Sequence, residues 1–189
     1  MSKTSIDFSK VDEILEFWFQ THAKKHYVKD PDFDALIGTT FHTQIRAIRN
    51  GDLGCWQLDP KASLAGLVLL DQFSRNLYRD RPEAFSEDER ARTFAKTGIA
   101  KGFDLTFKSG QRTLFYMPLM HSEYLDDQFM CEAAFERATK EGDAGGSEYA
   151  TKHRVIIEKF GRFPHRNAIL GRPSTPEEVD FLTQPGSSF

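Results

Sequence analysis

The sequence is poor in everything that would place it outside a cell or within a bilayer. It has only two cysteines, Cys55 and Cys131. They make neither a disulfide framework nor a metal-type pair, so both read as free thiols in a reducing compartment. No long apolar run exists: residues 64–70 form the longest, with a glycine inside it and Asp71 directly after it, whereas a membrane-spanning helix needs about 20 mostly apolar residues. Residues 1–7 show no basic region followed by an apolar stretch, so no secretory signal is expected. Charge of one sign is missing as well. The formal net charge is −3 and the basic residues are spread out, which gives no field for nucleic acid or an anionic membrane. A cytoplasmic protein with neither of those partners is expected. Hairpin signals are absent, as are a linker long enough to separate a pair of domains and a strict repeat of about 34 residues. These absences leave one helical domain over residues 1–189.

What is present agrees with that class. Hydrophobic residues make up 39% of the chain and charged residues 28%, and phenylalanine is abundant at 17, enough for a core rich in large aromatic side chains. Helix starts recur. Ser9 and Asp12 resemble a capping box before the helically spaced Val11, Ile14, Leu15, Trp18 and Phe19. Asp30-Pro31 and Asp59-Pro60 each set an acidic N-cap before a proline at the first helical position. The second helix should stop at Asn50-Gly51, and the third should reach about Leu77. Ser86 with Glu89 predicts a fourth helix, ended by Lys101-Gly102. A fifth, over residues 110–117, should break at Pro118. A sixth is predicted over 122–140, and a seventh over 148–160, closed by Gly161. Thr175-Pro176-Glu177-Glu178 is a capping box for a short last helix. The expectation is an all-α bundle or stack of about 7–8 helices.

The third helix carries the first functional clue. Leu64, Ala65, Leu67, Val68, Leu69, Leu70, Phe73 and Leu77 cover almost its whole circumference, and a helix apolar all round is buried. Asp71, Gln72, Arg75 and Asn76 nevertheless sit in it. Asp71 and Arg75 are four apart and share a face. A charge buried alone costs several kcal/mol, so both should be buried and paired. Polar candidates follow downstream: His121 and Glu123 after Pro118, His153 beside the stripe of Tyr149, Ile156 and Phe160, and its neighbour Arg154. Then comes Arg162-Phe163-Pro164-His165-Arg166-Asn167. Phe163 should anchor this turn in the core and carry His165, Arg166 and Asn167 towards the third helix. His22, His26 and His42 are expected at the surface or half-buried.

The segments Leu69-Leu70-Asp71-Gln72-Phe73-Ser74-Arg75-Asn76, Pro118-Leu119-Met120-His121-Ser122-Glu123 and Gly161-Arg162-Phe163-Pro164-His165-Arg166-Asn167 resemble the bacterial domain of unknown function 924 family. So do Ile14-Leu15-Glu16-Phe17-Trp18-Phe19 near the start and Leu170-Gly171-Arg172-Pro173-Ser174-Thr175-Pro176-Glu177-Glu178 near the end. The resemblance spans nearly the whole chain. It implies a helical fold of tetratricopeptide-like architecture and no established reaction. One departure is visible: His26-Tyr27 stands where the family usually has a Trp-Phe pair before Asp30-Pro31.

Three functions compete on this pattern. The first is binding of a small anion or an acidic peptide end in a pocket lined by Asp71, Arg75, Asn76, His121, Glu123, His153, Arg154, Arg162, His165, Arg166 and Asn167, with the arginines as planar donor forks. The second is a hydrolase or metal-dependent enzyme using the His, Glu and Asp residues of that set, although no His-Glu-x-x-His, Gly-x-Ser-x-Gly or phosphate-cradling glycine loop is present. The third is an interaction scaffold whose polar groups form a structural network. No cofactor is expected, and no residue is assigned as a metal ligand.

Overall fold

A computed structural model describes residues 6–26, 28–143 and 145–188. Tyr27, half of the departure from the family pattern, and residues 1–5, most of the segment read for a signal, lie outside them. Nine helices and no strand occur among the described residues. None of those helices is long and apolar enough to cross a membrane.

The chain forms two compact units, one of residues 1–79 and 83–118, the other of residues 80–82 and 119–189. In the first unit α1 spans Phe8–Glu16 and runs on through a π-turn, Phe17–Thr21. Its cap differs from the expected Ser9 box. The Asp7 carboxylate accepts from both the backbone N and the hydroxyl of Ser9, because a carboxylate one residue before the helix reaches the free amides first. Helix α2 is Pro31–Arg49, capped by Asp30 on the Phe33 amide and stopped at Asn50 and Gly51. Helix α3 is Pro60–Leu67, capped by Asp59, and continues through a second π-turn, Val68–Phe73, into Ser74–Leu77. Helix α4, Asp88–Ala100, follows. Ser86 does not cap it. Its hydroxyl donates to the Glu83 carbonyl and accepts from Arg49. The short α5 is Ser109–Thr113. Pro118 lies inside the turn α6, Met117–Met120, and does not break a longer helix, since proline fits a first helical turn, where amides are unpaired anyway.

Aromatic rings fill the centre of this unit. Phe17 meets Phe41 edge-on at 4.8 Å, and Phe73 lies 5.1 Å from Phe41 and 5.7 Å from Trp18. Both π-turns therefore deliver rings to the same core. Gly66 lets α3 approach α4 closely, because a Cβ there would sit 2.6 Å from the Phe94 ring.

In the second unit α7, Leu125–Lys140, and α8, Ser147–Phe160, pack as a hairpin. Gly161, left-handed at φ 67°, ends α8 as expected. Phe163 is fully buried with Ile156 and Ile157, flanked by Phe160 and Phe181. Tyr149, placed on that stripe by its spacing, is 51% exposed: it opens the helix at the edge of the hairpin, where its ring lies under the Lys152 ammonium. Helix α9, Pro176–Leu182, starts with the full capping box of Thr175 and Glu178.

Candidate functional site

Apart from Arg154, the polar residues singled out in the sequence belong to one group in each unit. In the first, Asp71 is 1% exposed and Arg75 is half-buried. The π-turn explains their surroundings. Shifting the hydrogen bonds from i+4 to i+5 leaves carbonyls without their usual amide. Side chains also approach carbonyls of the turn: the Ser74 hydroxyl lies 3.5 Å from the Leu69 oxygen, and an Arg75 amino group 3.4 Å from that of Asp71. The same Arg75 nitrogen donates to Asp88 at 2.8 Å and lies 3.5 Å from the Asp71 carboxylate. Burial disfavours the guanidinium charge, but Asp71 and Asp88 together raise its pKa further above the ordinary value. Asp71 also accepts from the Gln72 amide at 2.6 Å. Asn76 donates to Asp34 of α2, which holds Arg79 as well.

This arrangement revises the cost of cutting the pair. Arg75 keeps Asp88 when Asp71 is lost, so Asp71→Ala should cost about 1–3 kcal/mol, the penalty of unmet buried hydrogen bonds, and not the larger penalty of an orphaned charge. Urea unfolding of Asp71→Ala, Arg75→Ala and the double variant checks this. Losses that simply add would mean the two groups do not interact. The expected approach of His165 or Arg166 to this trio joins residues of different units, and a cycle between Asp71 and Arg166 measures it.

In the second unit the turn after α8 is the centre. Glu123 accepts from the Phe163 amide at 2.8 Å and from both ends of the Arg172 fork at 2.7 and 2.9 Å. Burial would raise its pKa, but Arg172 and the Phe163 amide hold it below the usual carboxylate value. Arg172 also donates to the side chain of Asn167 and the carbonyl of Phe163. Arg162 makes a second fork on Glu178, at 2.6 and 2.8 Å, and reaches the Pro173 carbonyl. Glu178 is almost fully buried and takes further bonds from Asn167 and the Thr175 amide. Arg162 foremost pulls its carboxyl down to about 2. Arg166 is buried, lies 4.5 Å over the Phe163 ring, and donates to the His121 carbonyl.

The histidines gather around the same ring. His153 lies 5.6 Å from Phe163 and 6.2 Å from His121, and His165 lies 5.5 Å from Phe163. The His153 Nδ1 sits 2.7 Å from the Tyr149 carbonyl, so that nitrogen carries the proton. Burial first, then the electrostatic effect of the nearby His121, pushes His153 down to about 3. Burial and Arg166 push His165 down to about 4. Both are neutral at pH 7.

Arg154 does not belong to this group. It is held by Glu132 of α7 at 2.6 Å and by Glu158, one turn along its own helix. Its i, i+4 spacing to Glu158 is the sign of a surface pair that the sequence offers. Sequence reasoning misses Arg172 and Glu178. Arg172 lies between Gly171 and Pro173 and reads as loop, while Glu178 reads as a helix cap and serves a second time as the Arg162 partner. It also misses a buried set in the first unit, Asp104, Arg112 and Tyr116, linked by 2.8 Å bonds through the Tyr116 hydroxyl. Among the described residues, no three His, Cys, Asp or Glu side chains are placed to hold a metal ion.

Residues 14–186 match the family described as bacterial protein of unknown function, DUF924. A solved structure of a protein of unknown function from Agrobacterium tumefaciens is 34% identical, with a TM-score of 0.87 over 94% of this chain and 98% of that one. No curated protein shows significant similarity to the chain.

Proposed function

The chain belongs to the bacterial DUF924 family of unknown function, and we propose that it is a non-catalytic helical binding module in which the arginine and histidine clusters are structural. One observation carries this reading: the guanidinium forks are already held by carboxylates of the chain, Arg162 by Glu178, Arg172 by Glu123, Arg154 by Glu132 and Arg75 by Asp88. An anion arriving at such a fork must break an existing pair to make an equivalent one, and it loses its own hydration as well. Histidines held near 3 and 4 add no positive charge at neutral pH. They also sit far from the near-neutral pKa that general acid–base catalysis favours.

A thermal-shift series with phosphate, an acetylated acidic dipeptide, Zn²⁺ and Mg²⁺ tests the proposal. A true ligand at 100 times its Kd would raise Tm by roughly 5–10 °C in a chain of this size. No saturable rise is expected. A saturable rise with phosphate that vanishes in Arg166→Lys, which lacks the planar fork, would replace this reading with an anion site.

A further inference from the structure

We infer that a groove beside the first π-turn binds a small cation bearing a guanidinium or primary amine. The inference rests on the reading of the chain as a binding module, yet the groove shares no residue with the clusters above. The groove has a volume of about 440 Å³, within the range of small-molecule sites. Leu15, Pro60 and Phe107 supply its apolar wall. Asp12 and Lys61 sit at its edge and neutralise each other across 2.5 Å. That leaves Glu16 as the uncompensated charge of the groove. Among the described residues Glu16, Gln20 and Gln111 have no hydrogen-bond or ion-pair partner.

The backbone is altered at this place. The His22 amide bonds to the Phe17 carbonyl, five residues back, so the Trp18 carbonyl loses its usual amide and takes the His26 Nε2 at 2.7 Å. Gln20, four residues after Glu16 and so on the same face of the helix, lines the groove with it. π-Turns are frequent at functional sites. One carboxylate and two amide oxygens match the donors of a guanidinium or ammonium. An aromatic ring in the lining, Phe107, suits a cation, and Leu15 with Pro60 suits its methylene stem.

The test uses N-acetylarginine methylamide as a peptide-like probe, agmatine as a free amine, and the citrulline counterpart of the first as a neutral control of the same shape. Titrations are followed by calorimetry and by the side-chain amide signals of the full chain. The cationic probes should bind saturably, the citrulline compound should not, and the Gln20 and Gln111 amides should shift. Tighter binding of agmatine points to a free amine, and tighter binding of the capped arginine to a basic peptide side chain. Glu16 is exposed, so Glu16→Gln should keep the fold and weaken binding about tenfold, the loss of one charge-assisted bond. Gln111→Ala should weaken it less. Equal binding of the citrulline compound, unchanged affinity in Glu16→Gln, or no saturation by about 20 mM, far above a millimolar Kd, overturns the inference. Anion results at Arg166 leave it untouched.

Discussion

Glu123→Ala should destabilise the protein by about 3 kcal/mol, because one half-buried carboxylate supplies several hydrogen bonds whose donors are then left unmet. The carboxylate takes three bonds at once, from the Phe163 amide and both ends of the Arg172 fork. Phe163 is fully buried and anchors the turn after α8. Without Glu123 its amide loses its acceptor just where the chain leaves the helix. Arg172 would keep the Asn167 side chain and the Phe163 carbonyl, which limits the loss. Glu123→Gln should cost less, since an amide oxygen still meets the Phe163 amide. The double variant Glu123→Ala/Arg172→Ala should cost clearly less than the two singles combined. Urea unfolding of the four proteins decides the matter. Additive losses would show that the fork contributes nothing beyond its separate ends.

Glu123 also illustrates how much the sequence discloses. The pattern around it marks the residue but not its principal partner. Helix starts are legible wherever one residue type does one local job: Asp30 and Asp59 before proline, Thr175 with Glu178, and Gly161 at a left-handed stop. The π-turns are not legible. A π-turn shows as a one-residue slip in apolar spacing, and a helix apolar on every side hides the slip. The buried run of residues 62–73 is such a helix. Partner choice is hidden for a different reason. An arginine in a loop and an arginine on an exposed helix face carry the same letter, and the i, i+4 spacing to Glu158 hints at a surface role for Arg154, while only the fold shows that Arg172 ties a turn. The apolar residues around Asp71 mark it as buried, and it is. Its helix-mate Arg75, however, is shared with Asp88 of α4, a residue no pattern in α3 points to.

Stability should fall as the pH drops from 7.5 to 5, and His153 should be a main cause. Its imidazole is pushed from an ordinary 6.5 down to about 3, chiefly by burial, with Arg166 among the neighbours acting in the same direction, while the Tyr149 carbonyl works the other way. Between those two values the unfolded chain binds a proton that the folded chain refuses. Folding is therefore penalised progressively below pH 6.5, and the stability present above that pH is lost. The loss approaches about 1.4 kcal/mol per pH unit for such a group, so roughly 2 kcal/mol by pH 5. His165, lowered to about 4, adds in the same direction. The carboxylates act lower. Glu123 and Glu178 are depressed from 4.5, so their stabilisation is present above that value and is lost only as the pH falls below it. The window from 7.5 to 5 consequently isolates the histidines. Urea unfolding at constant ionic strength should give a steep decline in the native sequence and a shallower one in His153→Phe, even if that variant starts from a lower stability at pH 7.5. A flat profile in the native protein, or an identical slope in the variant, would mean that His153 accepts its proton in the folded state and is not sealed in the core with Phe163.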